Sequence, residues 1–272
     1  MMSEILQLIK QLPEQEVYRT IVKQYIAKDF DQAFDNARKI LCISPHPDDC
    51  EVGVGGLIAK YAGKGKDVYL VVMTDGSRGT RDPRMTRGRV ALIRKREQEE
   101  AAKVLGVKNI YWLNYPDGEL PYSYEVINKL VTLYRLLKPD IVLAPDPSLP
   151  YEAHPDHLNT GRAASTAAIF SGMPLYNRVD LETGLSPHSI RYIAYYYTSR
   201  PNMYIDITDV IEKKLEALRK HESQFKESWM LIEALIRILG AIYGRKINVE
   251  YADAVKLVPT ILLHAVPFTE YI

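Results

Sequence analysis

Short apolar runs rich in β-branched residues recur after residue 38, each followed by enough chain for a helix. Lys39-Ile40-Leu41-Cys42-Ile43, Asp67 to Met73, Asn109 to Leu113 and Asp140 to Ala144 read as the first four strands. Helices fit roughly 54–64, the stretch that follows a polar loop from Asp75 to about Gly88 and runs to Leu105, 123–137, and a segment starting near His157. Gly106 stands where a helix C-cap glycine belongs. Alternation at this spacing implies parallel βαβ units. The expected fold class is α/β: a Rossmann-like, doubly wound, mostly parallel sheet with helices on both faces. Residues 1–37 read as an amphipathic N-terminal helical segment, 38–185 as the core and 186–272 as a C-terminal β/α extension, together one domain spanning 1–272.

Polar residues gather where these strands end. His46, Asp48 and Asp49 follow the first, Thr74 and Asp75 the second, Asp117 the third, and His154 and His157 the fourth. Open α/β sheets bind ligands at the carboxyl ends of their strands, so four loops are expected to meet at one crevice. His46-Pro47-Asp48-Asp49 and His154-Pro155-Asp156-His157 look like two halves of a metal site. A catalytic zinc typically keeps three nitrogen or carboxylate ligands and an open position for water. His46, Asp49 and His157 are the expected ligands, with Asp48 and His154 beside the open position for proton transfer. Taken alone, His46 to Asp49 also reads as a turn whose aspartate caps the next helix. The matching cluster after the fourth strand favours the metal.

Several classes are disfavoured. Lys and Arg total 35 against 34 for Asp and Glu, a net charge of +1, which argues against a nucleic-acid or anionic-membrane binder. Gly53, Gly55 and Gly56 fail the dinucleotide pattern because Ile58 stands where its third glycine belongs; they read as glycines that let the backbone pass close to the metal loop. The cysteines, Cys42 and Cys50, read as free thiols in a reducing cytosol. The acid-containing N-terminus lacks an apolar signal core, so a cytoplasmic location is expected. Arg94 opens a charged run whose default reading is a solvated, ion-paired face, although it is the arginine of that run nearest the polar loop. Asp117, in Pro116-Asp117-Gly118, reads either as a turn residue or as a substrate contact.

With both histidine–aspartate clusters in place, the chain resembles the LmbE-like (PIG-L) deacetylases from about residue 38 to 225. These are zinc enzymes that remove acetyl from N-acetylglucosamine units. Thr74-Asp75-Gly76, Tyr115-Pro116-Asp117, Pro145 to His157, Tyr196 to Thr208 and His264 to Phe268 are similar to the archaeal branch of that family, which acts on N,N′-diacetylchitobiose. The resemblance implies a small N-acetylated amino sugar as substrate, Zn²⁺ as cofactor, and amide hydrolysis with release of acetate. It implies Asp48 as general base, a protonated His154 facing the oxyanion, and Arg94 and Asp117 holding sugar hydroxyls. Deacetylation of a glucosamine conjugate, or sugar or metal binding without catalysis, are the alternative readings.

Trp229 to Tyr243 is apolar on nearly every face yet too short for a membrane span, and Val258 to Phe268 forms an apolar tail. Both suggest a homo-oligomer, a trimer or hexamer, whose C-terminal segments complete neighbouring sites. His264 interrupts that tail and reads either as a packed residue or as a substrate contact in a neighbour.

Overall fold

A computed structural model describes residues 2–272. Helices α1 (Met2–Gln11), α2 (Glu14–Ile21) and α3 (Ala33–Asn36) precede β1 (Lys39–Ser44), with a π-helical turn at Val22–Ile26 and a 3-10 turn at Phe30–Gln32. The order continues α4 (Asp49–Gly63), β2 (Asp67–Thr74), α5 (Arg87–Leu105), β3 (Asn109–Tyr115), α6 (Tyr124–Leu137), β4 (Ile141–Pro145), α7 (Pro155–Phe170) and α8 (Arg178–Glu182). It closes with β5 (Tyr192–Tyr196), β6 (Met203–Asp206), α9 (Ile211–Lys220), α10 (Glu222–Phe225), α11 (Trp229–Gly244) and β7 (Ala252–Pro259).

The strands form one mixed sheet in the order β3-β2-β1-β4-β5-β7-β6. Pairings among β1 to β5 are parallel, whereas β7 runs antiparallel to both β5 and β6. Ile40 to Ile43 are wholly buried, as expected for a central parallel strand covered on both faces. Right-handed crossovers put α4 and α5 on one face and α6 and α7 on the other, since the chain returns past β1 to reach β4. Strand order reverses between β1 and β4, so the loops after these two strands border the crevice.

Four expectations change. Helix α4 begins at Asp49, not near residue 54, and is interrupted at Val54 (φ −143°). Cys42 and Cys50 form a disulfide, because β1 and the first turn of α4 bring their Cα atoms to 6.5 Å. Gly53 and Gly56 serve helix packing, not the metal loop: a Cβ on Gly53 would lie 2.5 Å from the Tyr196 ring, and one on Gly56 2.6 Å from Ile207. The tail from Val258 begins inside β7, whose residues are all buried.

Candidate active site

The loop from β1 to α4 is tied to itself before it meets anything else. Ser44 Oγ donates to the His46 carbonyl (2.6 Å) and accepts from Cys50 N–H (3.2 Å). Asp49 Oδ2 accepts from the His46 backbone N–H (2.9 Å) and lies 3.1 Å from His46 Nδ1. From the first turn of α7, His157 Nε2 comes within 3.4 Å of Asp49 Oδ1. One oxygen of the aspartate thus faces each imidazole, and donor atoms of His46, Asp49 and His157 lie within 4.8 Å of one another.

A second group, His46, Asp117, His154 and Asp156, shares the His46 ring. Here His46 Nε2 points at Asp156 Oδ2 (3.1 Å) and Asp117 Oδ1 (3.3 Å). Asp156 also accepts from the N–H groups of Gly118 (2.7 Å) and Leu120 (3.1 Å), and Asp117 from Arg78 N–H (2.9 Å). These carboxylates are therefore engaged with the β3–α6 and β2–α5 loops. They orient His46 through its far nitrogen, as carboxylates behind a metal-binding histidine do.

Charge follows this geometry. Burial alone would lower the His46 pKa, but Asp117, Asp156 and Asp49 accept from its ring and push it up to about 12. Burial opposes ionisation of Asp49, yet His157 and His46 hold it well below the usual carboxylate range. Burial likewise opposes the shift of Asp117, which His46 and the Arg78 N–H hold at about 2. Three carboxylates thus crowd the His46 ring, and the donor groups here could hold a metal ion.

Asp48 precedes α4 with φ 117°, a left-handed conformation uncommon for a non-glycine residue, and its side chain makes no cap bond. The helix-cap reading therefore fails. The carboxylate lies 3.0 Å from Arg94 Nη2, while Asp48 N–H donates to Gln98 Oε1 (3.0 Å). Burial raises the Asp48 pKa and Arg94 lowers it; the result is about 6.

Arg94 is only 4% exposed, and its Nη atoms donate to Pro47 O (2.7 Å), Gly76 O (3.0 Å) and Asp48. Asp117 is buried as well. Arg94 reaches from α5 onto the β1–α4 and β2–α5 loops, and Asp117 turns from the β3–α6 loop toward His46 and Arg78 N–H. His154 is partly exposed, and its Nδ1 accepts from Asp156 N–H (3.3 Å). Burial and the neighbouring His46 lower its pKa. With Nδ1 accepting, Nε2 is the ring nitrogen left to donate. His264 is exposed after the 3-10 turn Thr260–Leu263 and belongs to neither donor group.

Sequence reasoning assigned no role to Asp156, Gln98 or Glu152. Asp156 stood in plain view between the paired histidines, and Gln98 follows Arg94 by four residues, on the same helix face. Glu152 accepts from His154 N–H (2.8 Å) and lies 3.2 Å from His157 Nδ1, a contact no local pattern announces.

A profile of the family described as GlcNAc-PI de-N-acetylase (PIG-L) matches residues 41–168. The diacetylchitobiose deacetylase of Thermococcus kodakarensis is 47% identical over 242 residues, covering 89% of this chain and 91% of that protein. The chain belongs to the PIG-L family. Among solved structures, N,N′-diacetylchitobiose deacetylase from Pyrococcus horikoshii, determined with an inhibitor, superposes with a TM-score of 0.90. It is 45% identical, and the match covers 96% of this chain and 98% of that one. The α/β class and the mostly parallel sheet read from the sequence agree with that fold.

Proposed function

We propose that this PIG-L protein hydrolyses the N-acetyl amide of N-acetylglucosamine units in a small chitin-derived sugar, N,N′-diacetylchitobiose or the monosaccharide, releasing acetate. The observation that carries the reading is the pairing of Asp48, a part-buried carboxylate tuned to about 6 and kept out of a capping role, with a donor set one residue away that could hold a metal ion. Near-full-length similarity to the Thermococcus kodakarensis deacetylase supports the substrate class.

His46 through Nδ1, Asp49, and His157 through Nε2 would hold a divalent cation, Zn²⁺ in this proposal, although such a set also suits other transition metals. When bound, the ion supplies Lewis acidity that makes water a nucleophile near neutral pH. Asp48 takes the proton of the attacking water, a pKa near 6 leaving it ionised at neutral pH. Arg94 acts through Asp48, fixing its rotamer and limiting its rise in pKa. His154 Nε2–H donates to the oxygen that gains charge as the carbonyl is attacked; losing one such donor typically costs about 3–4 kcal/mol. Asp48 then returns its proton to the departing amine. Asp117 and Asp156 keep His46 in register for Nδ1 to face Asp49.

The proposal extends to assembly and location. The whole 1–272 span works as one catalytic domain in a homo-oligomer, trimeric or hexameric, joined in part by α11 and supplying His264 to a neighbour. No helix among the described residues is long and apolar enough to cross a membrane. We place the protein in the cytoplasm. An acetate-release screen over N-acetylglucosamine, its β-1,4 dimer, longer oligomers and N-acetylglucosamine conjugates tests the substrate. Fastest release from the monomer or dimer is expected; turnover of a conjugate alone would replace the reading with the conjugate-deacetylase alternative.

A further inference from the structure

Tyr197 touches two of the three proposed ligands at once. It follows the last residue of β5 with φ 53°, a left-handed conformation that is an outlier for a bulky side chain. Such residues persist where the surroundings over-determine them. The surroundings here are specific. The Tyr197 hydroxyl lies within donating distance of the Asp49 carbonyl (3.2 Å) and of Asp49 Oδ1 (3.3 Å), the oxygen that faces His157. Its ring lies parallel to the His157 imidazole, centroids 5.9 Å apart and planes 5° from each other. Tyr196 meets the Tyr197 ring in an edge contact (4.9 Å, 74°) and anchors its own hydroxyl on Ile43 O (2.8 Å), within β1.

We infer that Tyr197 is a positioning residue of the metal centre: its hydroxyl fixes the Asp49 carboxylate, and its ring fixes the plane of His157. The two donors come from opposite sides of the crevice, 108 residues apart in sequence, and a single side chain spans both. The left-handed turn after β5 is what brings phenol and ring to bear together. The inference rests on the ligand assignment proposed above. Partners that orient metal ligands are generally worth 10–100-fold in metal affinity.

The test compares wild type, Tyr197→Phe, Tyr197→Leu and His157→Ala as full-length, metal-stripped proteins titrated with Zn²⁺ against a chromophoric chelator, with the Co²⁺ absorption spectrum as a second readout. Tyr197→Phe is expected to bind zinc about 10–100-fold more weakly, with a shifted Co²⁺ spectrum and an unchanged melting temperature of the stripped protein. Tyr197→Leu, which loses the ring as well, is expected to bind more weakly still. Wild-type affinity and an unshifted spectrum in Tyr197→Phe would overturn the inference. A lowered melting temperature at unchanged affinity would overturn it too, since a packing role alone has that signature. Equal affinities for Phe and Leu would remove the ring's part. Full zinc occupancy in His157→Ala would instead sink the ligand assignment, which separates the two failures.

Discussion

The left-handed backbone at Asp48 turns a carboxylate away from the helix it precedes and onto Arg94, where burial holds it near the pH at which a general base is useful. Asp48→Asn retains an acceptor for Arg94 and a residue type tolerant of positive φ. Turnover is therefore expected to fall at least about a hundredfold while zinc content and melting temperature stay at wild-type values; loss of zinc in step with activity would make Asp48 a ligand. Arg94 lowers the Asp48 pKa, so Arg94→Gln is expected to move the acidic limb of kcat/KM upward, activity disappearing at a higher pH than in wild type as protons reach the base. A pH–rate profile in which only KM changes would return Arg94 to a sugar-binding role. His46 adds a third expectation. Its ring is protonated without metal up to about pH 12, and zinc must displace that proton. Zinc affinity should thus rise with pH by at least about tenfold per unit between pH 6 and 8; a flat dependence would mean that His46 does not ligate.

Between β1 and α4 the chain is stapled on both sides of the catalytic loop. The Cys42–Cys50 disulfide encloses His46, Asp48 and Asp49, and both sulfurs are buried in the sheet–helix interface. Closing a loop of this length is worth about 2–3 kcal/mol, so Cys42→Ala with Cys50→Ala should lose roughly that much in denaturant unfolding. No loss would show that the crosslink leaves the unfolded chain unconstrained. At this scale the sequence was legible where signals are local. Strands β1 to β4, α11 and both histidine–aspartate clusters stand in contiguous patterns. β7 was hidden because Asp253 and Lys256 break its apolar run, yet both are buried: Asp253 is paired with Lys214, and Lys256 donates to the Glu270 carbonyl. The disulfide was hidden because its spacing matches no framework. Asp156 on His46 and Tyr197 on Asp49 join residues 110 and 148 positions apart, and only the packed sheet brings them together.

Across the whole molecule, reversal of strand order between β1 and β4 gathers Asp48, the donor atoms of His46, Asp49 and His157, and His154 around one crevice. The same molecule leaves α11 with one buried edge and an outer row of Met230, Leu231, Leu235, Ile238, Leu239 and Ile242 exposed, Met230 by 87%. Apolar area of this kind gains about 25 cal/mol per Å² when covered, and obligate interfaces are the apolar kind. Leu235→Glu with Ile238→Glu should therefore shift sedimentation toward the monomer, whereas a wild-type protein that is already monomeric and fully active would end the assembly proposal. The central claim is that a divalent cation and Asp48 together hydrolyse the N-acetyl group. Acetate release from N,N′-diacetylchitobiose is its most direct measure, taken on chelator-stripped wild type and Asp48→Asn before and after stoichiometric zinc. No release is expected from stripped protein, recovery with zinc in wild type, and at least about a hundredfold less in Asp48→Asn at equal zinc content. Release by stripped protein at the untreated rate, or wild-type turnover in zinc-loaded Asp48→Asn, would contradict it.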